Sequence, residues 1–360
     1  MRDSISAVVC GSLLPLICAS AFADASDWSF TPSGQLQHDA SWLHLDNRSA
    51  GHADLPRRTR LGFGLDHASG IRAKWEWDFI AGTITDSFIE LPLTDYTRIR
   101  IGQYKQPFAW EELISDREPA LLETSMPTDA FALARRSGIA LEHHHSLGLL
   151  TFSRYFGHVE NLDADQGWAL RSTWAHHSED AQTWHVAVAA ASDRDIDGNG
   201  RLRARQELRA FSLLAADSGI LSDVLGTDRV GLEQGWLSGP WAVQSEQMAM
   251  TLRRHGDDIH AIGGYLQLSW TSGDALRSYK DGLIRSPKLT AGHAWEAALR
   301  ASSIDVERGD LNLGQQTNLT AGVNLYLGPH WRLMLNQTWI NGSSTEARGH
   351  HTSMRIQIAF

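Results

Sequence analysis

The chain has 360 residues, 42 % of them hydrophobic, with a formal net charge of −10 and a mean hydropathy of −0.28. Beyond the first twenty or so residues no run reaches the roughly 18 consecutive apolar residues a spanning helix needs. That excludes a helical membrane protein but not a transmembrane barrel, in which only alternate residues meet lipid. The acidity argues against nucleic-acid binding. Both cysteines, Cys10 and Cys18, lie near the N-terminus, so a mature chain without that segment has no disulfide, thiolate metal site or cysteine nucleophile.

Residues 1–23 read as a signal peptide. Arg2 gives a short positive start, residues 5–18 are apolar, and Ala21-Phe22-Ala23 is an A-x-A cleavage site before Asp24. Residues 24–360 then read as one domain, with no composition shift to mark a second. In TRLGFGLD, Leu61, Phe63 and Leu65 share one face of a strand. Arg60, Gly62, Gly64 and Asp66 share the other. The turn HASG, residues 67–70, leads into GIRAKWEWDF, where Ile71, Ala73, Trp75, Trp77 and Phe79 alternate with Arg72, Lys74, Glu76 and Asp78. The two runs predict an antiparallel hairpin. Such alternation fits a soluble sandwich, with a core on one face and water on the other. It equally fits an outer-membrane barrel, with lipid on one face and a wet lumen on the other.

The pattern continues down the chain. TRIRIG sets Ile99 and Ile101 against Arg98 and Arg100. EPALLETS, residues 118–125, predicts one or two helical turns, and residues 211–225 are ambiguous. NLTAGVNLYLG sets Leu319, Ala321, Val323, Leu325 and Leu327 against Asn318, Thr320, Gly322, Asn324 and Tyr326. WRLMLNQTW follows with Trp331, Leu333 and Leu335 on one face. In the last ten residues Met354, Ile356, Ile358 and Phe360 lie opposite Ser353, Arg355 and Gln357. A terminal phenylalanine on an amphipathic strand looks like the signal read by the outer-membrane barrel assembly machinery. With the signal peptide, this parity selects the barrel. A charge facing mid-bilayer costs roughly 2–4 kcal/mol, so Arg72, Lys74, Glu76 and Asp78 must all face water. At about twenty residues per strand and connection the chain supplies 14–18 strands, a size that leaves an aqueous channel.

Several motifs carry a family resemblance. RIGQYKQPFAWEE (100–112), GLEQGWLSGPWAVQSE (231–246), GGYLQLSWTSGDALRSYKDG (263–282) and GHAWEAALRASSIDV (292–306) occur in an order that resembles the phosphate-selective porin O and P family. The resemblance implies an all-β, sixteen-stranded antiparallel transmembrane barrel in the Gram-negative outer membrane, assembled as a homotrimer. It implies passive diffusion of small anions, phosphate or pyrophosphate, with no cofactor, catalytic residue or metal. It also implies a long loop folded into the lumen, here residues 103–135. That loop carries Lys105, Arg117, Arg135 and Arg136 among Glu111, Glu112, Asp116, Glu118 and Glu123.

Arg117, in SDREPALLE, stands where the family's phosphate binders place a constriction lysine. A planar guanidinium in place of a compact ammonium retunes an oxyanion site, and Asp116 and Glu118 weaken the local positive potential. RLRARQELR puts Arg201, Arg203 and Arg205 on one face of an extended segment, with Arg209 on the same parity. This is similar to the family's arginine ladder, in which each guanidinium holds an oxyanion weakly and hands it on. The plainer reading is a solvated basic loop that binds lipopolysaccharide phosphates. Arg57, Arg58, Arg98, Arg100 and Arg300 are further lumen candidates. Lys280, Arg285 and Lys288 form a second basic cluster.

Other motifs carry less. Asp193, Asp195, Asp197 and Gly198 begin like a calcium loop, but the twelfth position is Ala204 instead of glutamate. His143, His144 and His145 alternate across a strand and do not converge on one ion. No H-E-x-x-H, G-x-S-x-G or P-loop pattern is present, which points away from an enzyme. The alternative to a phosphate channel is a general porin of the same fold without that selectivity, a reading the net acidity favours.

Overall fold

The alternation is drawn out into strands that close on themselves. The computed structural model describes residues 27–46, 48–159, 166–194, 198–343 and 348–360. The expected signal peptide lies outside them, as do Asp195 and Asp197 of the calcium reading. In chain order the strands are β1 (Trp28–Leu45), β2 (Arg48–His67), β3 (Arg72–Asp78), β4 (Thr83–Thr94), β5 (Thr97–Lys105), β6 (Arg135–His145), β7 (Gly148–Phe156), β8 (Gln166–His177), β9 (Gln182–Arg194), β10 (Arg203–Arg205), β11 (Leu214–Asp217), β12 (Val224–Ser238), β13 (Trp241–Arg254), β14 (Ile259–Thr271), β15 (Ser278–Lys280), β16 (Leu283–Arg285), β17 (His293–Arg308), β18 (Leu311–Leu327), β19 (Trp331–Gly342) and β20 (Arg348–Ala359). Sixteen of them form one closed antiparallel barrel, and β10–β11 and β15–β16 are separate hairpins. β1 pairs with both β2 and β20, so the barrel has no free edge. Closure is what lets a sheet cross lipid, where unpaired backbone groups find no water.

The side-chain parity follows the expectation. The hairpin of β2 and β3 pairs Phe63 with Trp75 and Arg60 with Asp78. On the outer face Phe30, Phe63 and Trp75 stack in sequence, at centroid distances of 5.6 and 5.9 Å. On the inner face Arg60 Nε donates to Asp78 at 2.7 Å. Tryptophans mark one interface. Trp184 opposes Trp236, Trp241 opposes Trp270, and Trp295 and Trp331 continue the belt around the same end. Trp331, Leu335 and Trp339 all point outward, 46–49 % exposed, while Arg332, Asn336 and Thr338 between them are buried. Leu335 lies midway between the two tryptophans. Leu335→Arg is expected to destabilise the barrel by about 2–4 kcal/mol in lipid vesicles, measured by denaturant unfolding, because the charge would face the bilayer midplane.

Three long connections enter the barrel. Segments 106–134 and 198–223 leave from the mouth at which β1 ends. Segment 272–292 leaves from the opposite mouth. The first carries two short helices, α1 (Trp110–Leu113) and α2 (Met126–Phe131). Between them, residues 118–125 are not helical, contrary to expectation. Their carbonyls are taken by wall side chains instead of by helical N–H groups. Pro119 O accepts from Arg332 at 2.6 Å, Ala120 O from Asn324 at 2.8 Å, Leu122 O from Arg355 at 2.7 Å and Glu123 O from Arg300 at 2.9 Å. Wall glycines make room for this segment. A Cβ on Gly322 would sit 2.5 Å from Leu121, and one on Gly235 would sit 2.5 Å from the Trp110 ring. The ambiguous residues 211–225 contribute β11, which pairs with β10.

Part of the interior is a true apolar core. Phe108, Met126, Phe131 and Leu133 of segment 106–134 pack with Leu202 and Leu221 of segment 198–223. Both press on inward-facing Met248, Met250, Leu252, Ile259, Ile304 and Val306. Open space is left on the opposite side, along β2–β7.

Candidate functional site

A cavity of about 540 Å³ runs along β2–β7. Segment 106–134 forms its other wall, and Asp281, Leu283 and Arg285 reach it from segment 272–292. Ten cations line it, Arg60, Arg72, Lys74, Arg98, Arg100, Lys105, Arg117, Arg135, Arg171 and Arg285, against seven carboxylates, Glu76, Asp86, Glu90, Asp116, Glu118, Glu142 and Asp281. The surface is thus formally positive by three, within a chain whose net charge is −10.

The cations are held in clusters. Strand pairing sets Arg72 and Arg100 on either side of Glu90. Arg100 donates to Glu90 at 2.5 and 2.8 Å and pairs with Glu142 at 3.0 Å. Arg72 and Arg98 approach the same Glu90 at 3.5 and 3.6 Å. Three guanidinium groups share one glutamate here, and Arg72 and Arg98 keep solvent-exposed tips. Asp86 bridges Arg135, at 2.7 Å, and Lys74. Asp116 receives Arg60 at 2.5 Å and Arg58 at 3.5 Å, with Lys105 at 3.8 Å. Burial alone would raise the Asp116 carboxyl, but Arg58, Lys105 and Arg60 hold it well below the usual carboxylate range.

A family model described as phosphate-selective porin O and P matches residues 30–360. The chain belongs to that family. Among curated relatives of this porin, Porin O of Pseudomonas aeruginosa is 23 % identical over 327 residues, covering 78 % of this chain and 74 % of that protein. Solved structures show the same fold at low identity. An outer membrane protein of Vibrio cholerae, OmpT with loop L8 deleted, aligns with TM-score 0.62 at 10 % identity over 93 % of this chain and 100 % of that one. The anion-selective porin from Comamonas acidovorans aligns with TM-score 0.57 at 14 % identity over 92 % and 100 % of the two chains. This porin is thus an integral multi-pass β-barrel of the outer membrane, a channel by family and fold.

The porin's cavity brings together Arg98, Arg100 and Arg117. Arg117 donates to Phe360 O at 2.9 Å and lies 3.6 Å from Glu76. Its neighbour Asp116 is engaged with the wall cations described above. The RLRARQELR stretch lies elsewhere, around β10, and does not line the cavity. Its parity holds: Arg201 and Arg203 are exposed and Arg205 half-buried, between buried Leu202, Ala204 and Gln206. Arg201 pairs with Asp217 at 2.6 Å and Arg205 with Asp129 at 3.1 Å. The Arg203 side chain makes no hydrogen bond or ion pair among the described residues, and its backbone pairs with Asp217 in the β10–β11 hairpin. Extended structure ends at Arg205, and Arg209 reaches Asp129 at 3.0 Å and Glu123 at 3.2 Å. Arg57 also pairs with Glu123, at 3.0 Å, and Arg58 donates to Gln37 at 2.8 Å. Of the second basic cluster, Arg285 reaches Glu118 at 3.4 Å.

Arg300 faces the interior but is covered by inserted chain. It is 1 % exposed, pairs with Glu111 at 2.6 Å and Glu207 at 2.7 Å, and ties segments 106–134 and 198–223 to β17. Sequence reasoning missed three comparable features. Arg332 and Arg355 anchor the carbonyls of residues 117–122, and their inward parity was the available signal. A buried group of Arg171, Glu233 and His185 joins β8, β9 and β12, with Arg171 bidentate on Glu233 at 2.6 and 2.8 Å and His185 Nε2 at 3.1 Å. Trp110, fully buried, links the segments entering from opposite mouths by donating from Nε1 to Gly282 O at 2.9 Å.

Proposed function

We propose that this porin passes small anions of the phosphate and pyrophosphate class by passive diffusion, and that it works as a homotrimer. One observation carries the reading: an acidic chain lines its internal cavity of about 540 Å³ with ten cations and seven carboxylates. A pore responds to its lining charge and not to the molecular sum. In this reading Arg201, Arg203, Arg205 and Arg209 receive the anion at one mouth. Arg57 and Arg58 lie next, then Arg117, and Arg98 and Arg100 discharge it toward the other mouth. Arg300 fixes the segments that narrow the path. The outer tryptophan belt meets membrane lipid, lipopolysaccharide covers the rim at the first mouth, and the strand ending at Phe360 serves barrel assembly. The family's description as phosphate-selective and the name of the anion-selective porin from Comamonas acidovorans support the anion class.

A second reading, a general porin without phosphate selectivity, draws on the pairing of each of the ten lining cations with a carboxylate. Reversal potential in a potassium chloride gradient across a planar bilayer, followed by phosphate titration of the chloride current, separates the two. Chloride preference with saturable phosphate block, relieved in Arg117→Ala and Arg203→Ala, is the expected outcome. Chloride current indifferent to phosphate selects the general porin. Potassium preference sinks the anion route.

A further inference from the structure

We propose that Glu123 is a tethered anion: its carboxylate occupies the oxyanion position formed by Arg57, Arg209 and Arg355 and so sets how strongly this porin holds phosphate. The inference rests on the anion route described above and names the residue that tunes it.

The three guanidinium groups come from distant parts of the chain, β2, the stretch after β10, and β20. They converge on one carboxylate. Glu123 Oε1 accepts from Arg57 Nε at 3.0 Å and Arg355 Nη2 at 2.9 Å. Oε2 accepts from Arg57 Nη2 at 3.2 Å and Arg209 Nε at 3.2 Å. Each oxygen thus takes two charged donors, the pattern by which guanidinium groups hold a phosphate oxygen pair. Among the described residues Arg57 makes no other ion pair, and Asp116 and Asp39 act on it only at longer range. Arg355 also holds Asp39, at 2.7 Å, and Arg209 also holds Asp129, at 3.0 Å. With Glu123 neutralised, three guanidinium groups would face the two paired carboxylates Asp39 and Asp129, and Arg57 would keep only the longer-range pull of Asp116 and Asp39.

The place matters as well as the chemistry. Glu123 stands where the exposed arginines of RLRARQELR meet segment 106–134. The space left beside it is a cavity of about 10 Å³, lined by Asp39, Arg57, Glu123 and Arg209 among others, and that volume is room for about one water at most. An anion coming from Arg205 and Arg209 therefore reaches Arg57 only by displacing the Glu123 carboxylate. The backbone of this stretch is pinned, with Leu122 O bound to Arg355 and Glu123 O to Arg300. The carboxylate cannot drift away, so it competes with free phosphate at high effective concentration.

The test is Glu123→Gln, which keeps the shape and removes the charge, studied as the full-length barrel in planar bilayers with inorganic phosphate as the probe. Half-block of the chloride current is expected at a phosphate concentration at least about tenfold lower than in the parent, equivalent to about 1.4 kcal/mol of binding. Chloride over potassium permeability is expected to rise. Adding Arg57→Gln should return the titration toward the parent. A folded Glu123→Gln channel, with heat-modifiable gel migration and the parent's phosphate titration, overturns the proposal. So does a gain that persists without Arg57. If Glu123→Gln does not fold, Glu123→Asp withdraws the carboxylate by one methylene while keeping its charge. A partial tightening of phosphate block supports the proposal, and a parent-like titration overturns it. The parent's own reversal potential separates the two failures. Potassium preference in the parent removes the anion route itself, whereas chloride preference with an unresponsive Glu123→Gln removes only the role of Glu123.

Discussion

Arg300→Ala is expected to loosen the lumen more than any other single change in the wall. Arg300 Nη1 pairs with Glu111 at 2.6 Å, and Nη2 pairs with Glu207 at 2.7 Å and donates to Glu123 O at 2.9 Å. Glu111 holds Ser125 N at 2.8 Å, the residue that caps α2. Glu207 holds Thr320 Oγ1 at 2.8 Å and Ser302 Oγ. One guanidinium therefore neutralises two buried carboxylates on two different inserted segments. Its removal leaves both without their cation, at a cost of about 3–5 kcal/mol. The least costly relief is for segments 106–134 and 198–223 to swing toward water. The expected result is a larger, noisier single-channel conductance and a lower unfolding midpoint. A triple change of Arg300→Met with Glu111→Gln and Glu207→Gln removes all the charges together and is expected to recover most of the stability, because matched removal of a buried ionic group is often nearly neutral. Parent-like conductance and stability in Arg300→Ala would show that the two segments are held independently of it.

The contrast between what the sequence revealed of the wall and of the lumen has a physical origin. Lipid imposes one rule on every second residue, so the faces of Leu61, Phe63 and Leu65, of Leu319 to Leu327, and of Trp331 to Leu335 could be read without knowing any partner. The interior imposes no single rule. Beside β2–β7 it is wet and charged, and Arg98 and Arg100 line the cavity there. Beside β12–β17 it is filled by inserted chain. There Met248, Met250 and Leu252 point inward while Gln247 and Arg253 alternate with them, a polarity opposite to that of a water-filled lumen. EPALLETS had the composition of a helix, but a helix needs its own carbonyls, and here Arg332, Asn324 and Arg355 take them. The arginine spacing in RLRARQELR was visible. Its counter-charges were not, since Asp129 lies 76 residues from Arg205 and Glu123 lies 86 from Arg209. The family motifs did not reveal which carboxylates of segment 106–134 would hold which cation.

Trp110→Ala should release the hairpin of β15 and β16 from the opposite mouth. Trp110 is the joint between the two insertions. Its Nε1 donates to Gly282 O at 2.9 Å, its backbone N donates to Glu246 Oε1 at 2.8 Å, and its ring stacks on His185 at 4.3 Å. Leu237, Ala242 and Ile284 pack around it, and Gly235 has no side chain so that the ring can seat. Truncation forfeits that packing, worth about 3–5 kcal/mol for a buried aromatic. It also leaves Gly282 O with Arg171 as its remaining partner, at 3.0 Å. The void borders the wet cavity through Leu283 and Arg171 and would fill with water, so the energetic loss appears as a wider path and not as a collapsed wall. Single-channel conductance should rise, and the sixteen-stranded barrel should survive, as judged by heat-modifiable migration and circular dichroism. Tyr279→Phe supplies the internal comparison. It removes only the hydroxyl contact with His185 Nδ1, at 2.7 Å, worth about 0.5–1.5 kcal/mol, and should leave conductance near the parent's. If both variants conduct alike, the joint is not at Trp110, and Arg171 on Gly282 O, Arg285 on Glu118 and Arg277 on Glu118 O and Glu296 hold the segment without it.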